Sequence, residues 1–215
     1  MAKSSPKAQQ HFKYACFISY RDVSAQIAKE IKEILSAEFE QLLEEKVREV
    51  YLDKERLKGG VLFNKKLAEA ICRSVCMVVI YAPVYFNRDK TYCAKEYQAM
   101  EKLEAERQKL LGAGGNGLII PIVIRGWDKV PAQIRETRTL YNFEGFCQGG
   151  RRLVKTRDCY RRLREIAEYI AERYWDWEQK GAAAARDCSK FRLSSDRVIL
   201  RWLEGFAAGD KKRGQ

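Results

Sequence analysis

The sequence predicts an α/β fold, in which a doubly wound sheet of five parallel strands is followed by a C-terminal helical appendage. The first observation is that the chain contains short apolar runs without polar alternation, which are typical of strands buried on both faces. The second is that longer segments with apolar residues at helical spacing separate these runs. Strands that alternate with helices of this length form an open parallel sheet.

The first part of the chain supplies two strands and two helices. Residues 12–19 carry apolar side chains on both alternating sets, which indicates a central parallel strand. The apolar positions of residues 23–42 keep helical spacing, and residues 47–52 form a second, short strand. A polar loop with two glycines, residues 53–60, then leads to a helix over residues 62–73.

The middle of the chain supplies the remaining strands. Residues 75–83 are an apolar run that ends in a proline, and a tyrosine-containing turn separates this third strand from a helix that begins at Tyr92. Residues 118–124 and 139–143 are the predicted fourth and fifth strands. A long amphipathic helix follows, with its apolar face between residues 159 and 174.

The helix after the third strand has an acidic residue within its apolar face. At about 100° per residue, one arc contains Tyr92, Cys93, Tyr97, Ala99, Met100, Leu103 and Leu110, whereas Lys95, Gln98, Glu101 and Lys102 face away. Glu96 falls near the middle of the apolar arc. Because burial of an unpaired carboxylate is costly, this residue is either paired for structure or kept for chemistry. Its position alone leaves both interpretations open.

The loops after the first three strands are expected to meet at one crevice. In open parallel sheets, ligands bind beyond the carboxyl ends of the strands. Residues 19–22, 53–60 and 81–96 all follow predicted strands at that end. The helix with Glu96 therefore begins at the expected ligand site.

Composition predicts a soluble, globular protein. The 215 residues are 46% hydrophobic and 33% charged, which is enough apolar content for a full core. No apolar run approaches the roughly 20 residues that a membrane span requires, and the N-terminal residues lack a signal-peptide pattern, so we expect a cytoplasmic location. Seven cysteines, an odd number within apolar segments, favour a reducing compartment over a disulfide framework. The lone His11 and the pair Cys72 and Cys76 predict no metal site.

We expect a division of the chain into three parts. Residues 1–12 are a polar, flexible tail, residues 13–175 form the α/β domain, and residues 176–215 form a helical extension. Residues 195–206 could form one more amphipathic helix. The sequence leaves open whether this extension packs on the domain or docks a partner.

Basic residues are concentrated in the C-terminal third. The formal net charge is +12, and residues 151–215 carry 17 Lys+Arg against 10 Asp+Glu. The densest cluster lies between Arg151 and Arg164. Such a cluster fits a nucleic-acid surface, the solvated face of a helix, or attraction for an anionic small molecule. No nucleic-acid motif accompanies the charge, so we expect no nucleic-acid partner.

Three short motifs resemble a known family. The segment Phe17-Ile-Ser-Tyr-Arg-Asp22 resembles the first signature of TIR domains, and Tyr51-Leu-Asp53 with its Glu-Arg-Leu-Lys-Gly-Gly loop resembles the second. The segment Tyr92-Cys-Ala-Lys-Glu96 is similar to the aromatic-Cys-x-x-Glu motif of TIR domains that consume NAD. The resemblance implies the flavodoxin-like TIR fold.

The resemblance implies that Glu96 is the catalytic carboxylate of an enzyme that cleaves NAD+. In NAD+ the ribose is bonded to a cationic pyridinium, which leaves as neutral nicotinamide and needs no general acid. One carboxylate can stabilise the positive charge that develops on the sugar. NAD+ is thus the expected substrate, with no cofactor and no metal.

The resemblance also implies a set of substrate-binding residues. These are Ser19, Tyr20, Arg21, Asp53, Arg56, Leu62 and Tyr92. Arg21 or Arg56 could contact the pyrophosphate, although either could instead be a surface arginine or pair with an acid. Tyr92 could cover the nicotinamide ring or simply fill the core. Leu62 occupies a position where NAD-cleaving relatives can carry an aromatic side chain.

The expected activity is that of an NAD+ nucleosidase or ADP-ribosyl cyclase, which yields ADP-ribose or a cyclic ADP-ribose-type signal. A free-standing TIR domain resembles the signal-producing partner of bacterial anti-phage systems of the Thoeris kind, whose nucleotide signal would reach a downstream effector. Self-association through TIR–TIR contacts is expected. The alternative is a non-catalytic scaffold that binds other TIR domains, with Glu96 as a structural acid, for example paired with Arg21.

Overall fold

The structure is a computed structural model that describes residues 12–52, 61–111, 117–149, 151–180 and 187–211. The strands are β1 (Tyr14–Ser19), β2 (Glu49–Leu52), β3 (Ser74–Tyr81), β4 (Ile119–Val123), β5 (Tyr141–Asn142), β6 (Cys147–Gln148) and β7 (Arg152–Leu153). The α-helices are α1 (Ala25–Leu42), α2 (Val61–Cys72), α3 (Tyr92–Leu111), α4 (Ala132–Thr137), α5 (Arg157–Gln179) and α6 (Asp196–Lys211).

The first five strands form the predicted sheet, in which four strands are paired in parallel. The ladder runs β1-β3-β4-β5, and β2 lies beside β1, so the spatial order is β2-β1-β3-β4-β5. This is a doubly wound order of the flavodoxin type, with its change of direction between β1 and β3. The prediction of a five-stranded α/β fold is confirmed.

Strand β3 is the centre of the sheet. All eight of its residues are buried, as the unbroken apolar run predicted, and it pairs with β1 on one side and β4 on the other. Ser19 at the end of β1 is in register with Val79, and Val123 at the end of β4 is in register with Tyr81. The carboxyl ends of the three strands therefore lie at one edge of the sheet.

A small hairpin, which was not predicted from the sequence, follows the sheet. Strands β6 and β7 pair antiparallel, with Cys147 opposite Leu153. The backbone N–H of Leu153 donates to Glu30 Oε2 of α1 at 2.7 Å, which fixes the hairpin against the domain. Two-residue strands are too short to show a periodicity of side chains.

The C-terminal part of the chain packs back onto the domain. Helix α5 continues through residue 175 to Gln179 and contacts α1, β1 and β3. A 3₁₀ turn at Cys188–Lys190 then contacts α2, and α6 contacts α3 and α4. The question that the sequence left open is thus answered, because the last helix covers the helix that carries Glu96.

A disulfide bond joins α2 to this C-terminal part. Cys72 is bonded to Cys188, which lies 116 residues later, with their Cα atoms 5.7 Å apart. The other five cysteines are not disulfide-bonded. The expectation that the cysteine pattern favours thiols over disulfides was therefore wrong for this pair. Only the tertiary contact between α2 and the C-terminal 3₁₀ turn brings the two residues together.

None of the helices in the described ranges combines the length and the hydropathy that a membrane span requires.

Candidate active site

The candidate site is built by three elements that meet at the carboxyl edge of the sheet. Ser19 is the last residue of β1, Tyr85 lies in the turn after β3, and Glu96 lies in the first turns of α3. The parallel pairing of β1 with β3 brings the two strand ends together, and α3 returns across them. The fold therefore brings together the side chains of Ser19, Tyr85 and Glu96, which are up to 77 residues apart in the sequence.

Glu96 is buried among apolar neighbours and is held by a hydroxyl. Its exposed fraction is 1%, and Cys93, Tyr97 and Met100 on the same helix are also buried, as the apolar arc predicted. Ser19 Oγ donates a short hydrogen bond to Glu96 Oε2. Burial strengthens this contact because water does not compete with it. The carboxylate is thus fixed in direction by the end of β1.

A tyrosine extends this hydrogen bond into a chain of three groups. Tyr85 Oη lies 2.6 Å from Ser19 Oγ. The hydroxyl of Ser19 has one proton, and it uses this proton in the hydrogen bond that it donates to Glu96. In the hydrogen bond between Tyr85 and Ser19, Tyr85 is therefore the donor. The chain therefore runs from Tyr85 through Ser19 to Glu96.

The environment of Tyr85 keeps its hydroxyl protonated. Burial is the largest cause that raises the pKa of Tyr85 well above its ordinary value, and the nearby Cys93 and Glu96 raise it further. The hydrogen bond with Ser19 acts in the opposite direction but is outweighed. Tyr85 is consequently a stable donor at any physiological pH.

Cys93 and Arg21 fix the segments that flank the hydrogen-bonded chain. Cys93 Sγ contacts the backbone carbonyl of Tyr20 at 3.3 Å, which ties the first turn of α3 to the residue after β1. The guanidinium of Arg21 is mostly buried and donates to the carbonyl of Lys90 at 2.9 Å. Asn87 Oδ1 accepts from the backbone N–H of Asp89, which shapes the same loop. These contacts fix the loop that leads into α3.

Tyr92 lies one helical turn before Glu96 and is exposed rather than buried. Its exposed fraction is 42%, which removes the interpretation that it fills the core. The ammonium of Lys95 lies 5.2 Å from its ring centroid, a distance that permits a cation–π contact. The ring is therefore accessible on the outside of α3.

The outer face of α3 differs from the prediction. Lys95 and Gln98, which were expected to face solvent, have exposed fractions of 7% and 6%. Asp196 at the start of α6 pairs with Lys95 Nζ at 2.9 Å and also accepts a hydrogen bond from Thr91. Gln98 Oε1 accepts from Ser194 Oγ at 2.5 Å. Helical periodicity cannot anticipate this burial, because it depends on a segment about 100 residues away.

Aromatic side chains join the C-terminal helix to the site loop. Phe86, the residue after Tyr85, packs against Trp202 at 5.8 Å and Phe206 at 5.3 Å between ring centroids. Phe86 also contacts Tyr85 edge to face at 4.8 Å, and Tyr97 lies 5.9 Å from Trp202. We call Phe86, Tyr97, Trp202 and Phe206 the aromatic cluster. It connects α6 to the turn that carries Tyr85.

The predicted site residues have different outcomes. The structure brings Ser19 into contact with Glu96 and the backbone carbonyl of Tyr20 into contact with Cys93. Arg21 follows β1, and its side chain reaches the loop before α3. Asp53 and Arg56 lie outside the described residues, as does the side chain of Leu62. Sequence reasoning did not single out Tyr85, and the available signal was weak because Tyr81 at the end of β3 and Tyr92 at the start of α3 lie close to it in the chain. The roles of all these residues in binding stay predictions.

The basic cluster on α5 is partly paired with acids. Arg161 contacts Asp158 at 3.4 Å and Glu165 at 2.9 Å, and Arg164 contacts Glu38 of α1 at 3.1 Å. These pairs reduce the positive potential that the sequence suggested. The arrangement is that of a solvated helix face.

Fold and site together define an α/β domain of the flavodoxin type with a buried glutamate beyond the carboxyl ends of its strands. A family model described as TIR domain matches residues 16–154. The chain therefore belongs to the TIR-domain family.

Two further comparisons concern solved structures and curated protein sequences. The chain is similar to the TIR domains in the structure of the activated Roq1 resistosome that directly recognizes the pathogen effector XopQ, with 17% identity and a TM-score of 0.37. That similarity covers 88% of this chain and 96% of the other. No curated protein sequence matches the chain.

Proposed function

We propose that this TIR-domain protein is an NAD+ nucleosidase or ADP-ribosyl cyclase, with Glu96 as the catalytic carboxylate. The observation that carries the proposal is the buried Glu96 held by Ser19 at the carboxyl edge of the sheet. A carboxylate that is fixed in an apolar environment stabilises a developing cation more strongly than one in water.

The proposed reaction needs few groups. The bond between ribose C1′ and the nicotinamide nitrogen breaks, and its electron pair neutralises the pyridinium. The ribose is left with the positive charge that Glu96 stabilises. Water then adds to C1′ and loses a proton to give ADP-ribose, or a nucleophile within the same molecule adds to give a cyclic product. We favour a cyclic or conjugated product that acts as a signal.

The remaining predicted residues have supporting roles in this proposal. Tyr92 is exposed and could contact the nicotinamide ring, and Arg21, which follows β1 and donates to the carbonyl of Lys90 beside the start of α3, could approach the pyrophosphate. Tyr20, Asp53, Arg56 and Leu62 complete the proposed substrate contacts on the strength of the family resemblance. We propose no metal and no cofactor for the reaction.

The proposed setting is bacterial anti-phage defence of the Thoeris kind. The nucleotide product would activate a downstream effector, and self-association through TIR–TIR contacts would be required for activity. We propose the cytoplasm as the place of action. Labelling of free thiols in protein taken directly from cells tests this, because a reducing compartment would leave Cys72 and Cys188 labelled.

The decisive experiment measures nicotinamide release from NAD+ by the purified full chain. We expect turnover by the wild type and its loss in Glu96→Gln, which keeps an acceptor for Ser19. Glu101→Gln, on the same helix but away from Ser19, is the matched control and should retain turnover. Mass analysis of the product distinguishes ADP-ribose from a cyclic isomer.

A non-catalytic TIR scaffold is the second candidate function. The near-complete burial of Glu96 favours it, because a buried acid with a hydroxyl partner can also serve only the fold. Absence of nicotinamide release at every protein concentration, together with intact binding to other TIR domains, would establish this function instead. Steeply salt-dependent binding to DNA would point to the basic cluster on α5.

A further inference from the structure

Tyr85 is a fully buried tyrosine whose hydroxyl has a specific partner. The ring packs against Phe86 and lies 6.2 Å from Tyr81 between centroids, which a phenylalanine could do equally well. A hydroxyl in such a place is costly unless it is hydrogen-bonded. It is bonded to Ser19, whose own proton points to Glu96. The hydroxyl is therefore a feature that core packing alone does not require.

Ser19 is unsuited to direct contact with a ligand in this arrangement. Its side chain is fully buried, and its single proton and one acceptor position are used by Glu96 and Tyr85. A hydroxyl with these two contacts transmits the orientation of one group to the other. Polarisation along such a chain strengthens each of its hydrogen bonds.

We infer that Tyr85 is a positioning residue that acts on Glu96 through Ser19, an inference that rests on the proposed function. The turn after β3 fixes Tyr85, Tyr85 fixes the hydroxyl of Ser19, and Ser19 fixes one oxygen of the carboxylate. Glu96 would thereby meet the ribose in one orientation. A carboxylate that can rotate would stabilise the transition state less, because small displacements of a catalytic group lower the rate strongly.

Kinetics provide the first test, with variants that remove one hydroxyl each. Tyr85→Phe should lower kcat for nicotinamide release about tenfold and change KM less than about twofold, because the chain acts on the transition state. Ser19→Ala should lower kcat further. The double variant should be no slower than Ser19→Ala, since Tyr85 acts only through Ser19.

Tyr97→Phe is the matched control for these variants. Tyr97 is also buried, lies next to Glu96 in sequence, and is hydrogen-bonded to Arg138. Its variant loses a buried hydroxyl of the same kind but should keep the wild-type kcat. Equal losses of kcat in Tyr97→Phe and Tyr85→Phe would overturn the inference, as would unchanged kcat in Tyr85→Phe.

Unfolding midpoints in urea test the chain independently of turnover. Tyr85→Phe should lower the midpoint in the wild-type background and have a smaller effect in the Ser19→Ala background. Tyr97→Phe should shift the midpoint equally in both. Additive shifts for Tyr85 and Ser19 would overturn the inference even in an active enzyme. Absence of turnover in the wild type would instead overturn the proposed function, while the midpoints still report whether Tyr85 and Ser19 are coupled.

Discussion

Helix α3 buries two adjacent charged residues in opposite ways. Lys95 is covered by the C-terminal extension and is matched by the carboxylate of Asp196, whereas Glu96 faces the sheet and is held by the hydroxyl of Ser19. A cation paired with an anion on a covering helix is typical of structural burial. An acid oriented by a hydroxyl at the end of a strand is the arrangement that the proposed reaction needs. Burial of a charge is thus not enough to indicate function, and variants at the two residues separate the two roles.

The largest expected effect concerns the geometry of Glu96. Glu96→Asp keeps the charge but withdraws the carboxylate by about the length of one C–C bond, and displacements of this size cost about 100-fold in rate. We therefore expect kcat for nicotinamide release to fall about 100-fold. Lys95→Met is the matched variant one residue away and should retain kcat within about threefold while losing about 1 kcal/mol of unfolding free energy. Comparable losses of kcat in both variants would break the comparison.

The largest expected effect on stability concerns the disulfide bond that joins Cys72 of α2 to Cys188 of the C-terminal extension. Replacement of both Cys72 and Cys188 by serine should lower the free energy of unfolding by about 3 kcal/mol, because the disulfide closes a long loop in the unfolded chain. The measurement is urea denaturation without reductant. Cys147→Ser, at a free cysteine, is the control and should be nearly neutral. If the double variant kept its stability but lost turnover, the C-terminal extension would have a role in catalysis.

The aromatic cluster should contribute an intermediate amount. Trp202→Ala removes ring contacts to Phe86 and Tyr97 and should cost about 2 kcal/mol, less than a fully buried tryptophan because Trp202 is only half-buried. Thermal unfolding followed by circular dichroism measures the loss. Trp175→Ala, at an exposed tryptophan of α5, is the matched control. Similar losses in the two variants would contradict the role given to the cluster.

The smallest effect is a dependence of stability on pH at Glu101. Burial is the largest cause that raises the pKa of Glu101 to about 7, with Arg138 opposing and Glu104 adding to the shift. The folded state therefore holds a proton that the unfolded state has released, so stability falls as pH rises from about 4.5 to 7. Since this side chain is about one-third exposed, we expect a loss of about 1 kcal/mol.

Unfolding midpoints between pH 5 and pH 8 measure this effect. The wild type should lose stability across this range relative to Glu101→Gln, which cannot ionise. Glu40→Gln, at an exposed acid of α1, controls for the loss of one negative charge. A wild type that becomes more stable than Glu101→Gln as pH rises would show that Glu101 is stabilised as an anion, like an ordinary paired acid.

The sequence predicted one side of α3 well and the other poorly. The unbroken apolar run of β3 and the apolar arc around Glu96 are local patterns, and both agree with the structure except at Tyr92, which is exposed. Burial of Lys95 depends on Asp196, which no pattern within the helix contains. The bond from Cys72 to Cys188 and the hydroxyl of Tyr85 depend in the same way on contacts between distant segments.

The site itself was only partly predictable for a related reason. Glu96 could be singled out as a candidate because an acid in an apolar arc contradicts helical periodicity, whereas Ser19 was named through the motif resemblance. Tyr85 could not be singled out in this way, because a tyrosine after a strand fits either the core or a functional site. The assignments of Asp53 and Arg56 depend on motif resemblance alone and stay predictions.

The disulfide bond between Cys72 and Cys188 closes the chain between these two residues into a covalent ring. This ring includes β3, β4, β5, α3 and α5, which form most of the sheet and its layer of helices. A protease that cuts once within the ring cannot divide the molecule. The nicked protein should migrate as two fragments in a reducing gel and should keep its full mass when the gel contains no reductant.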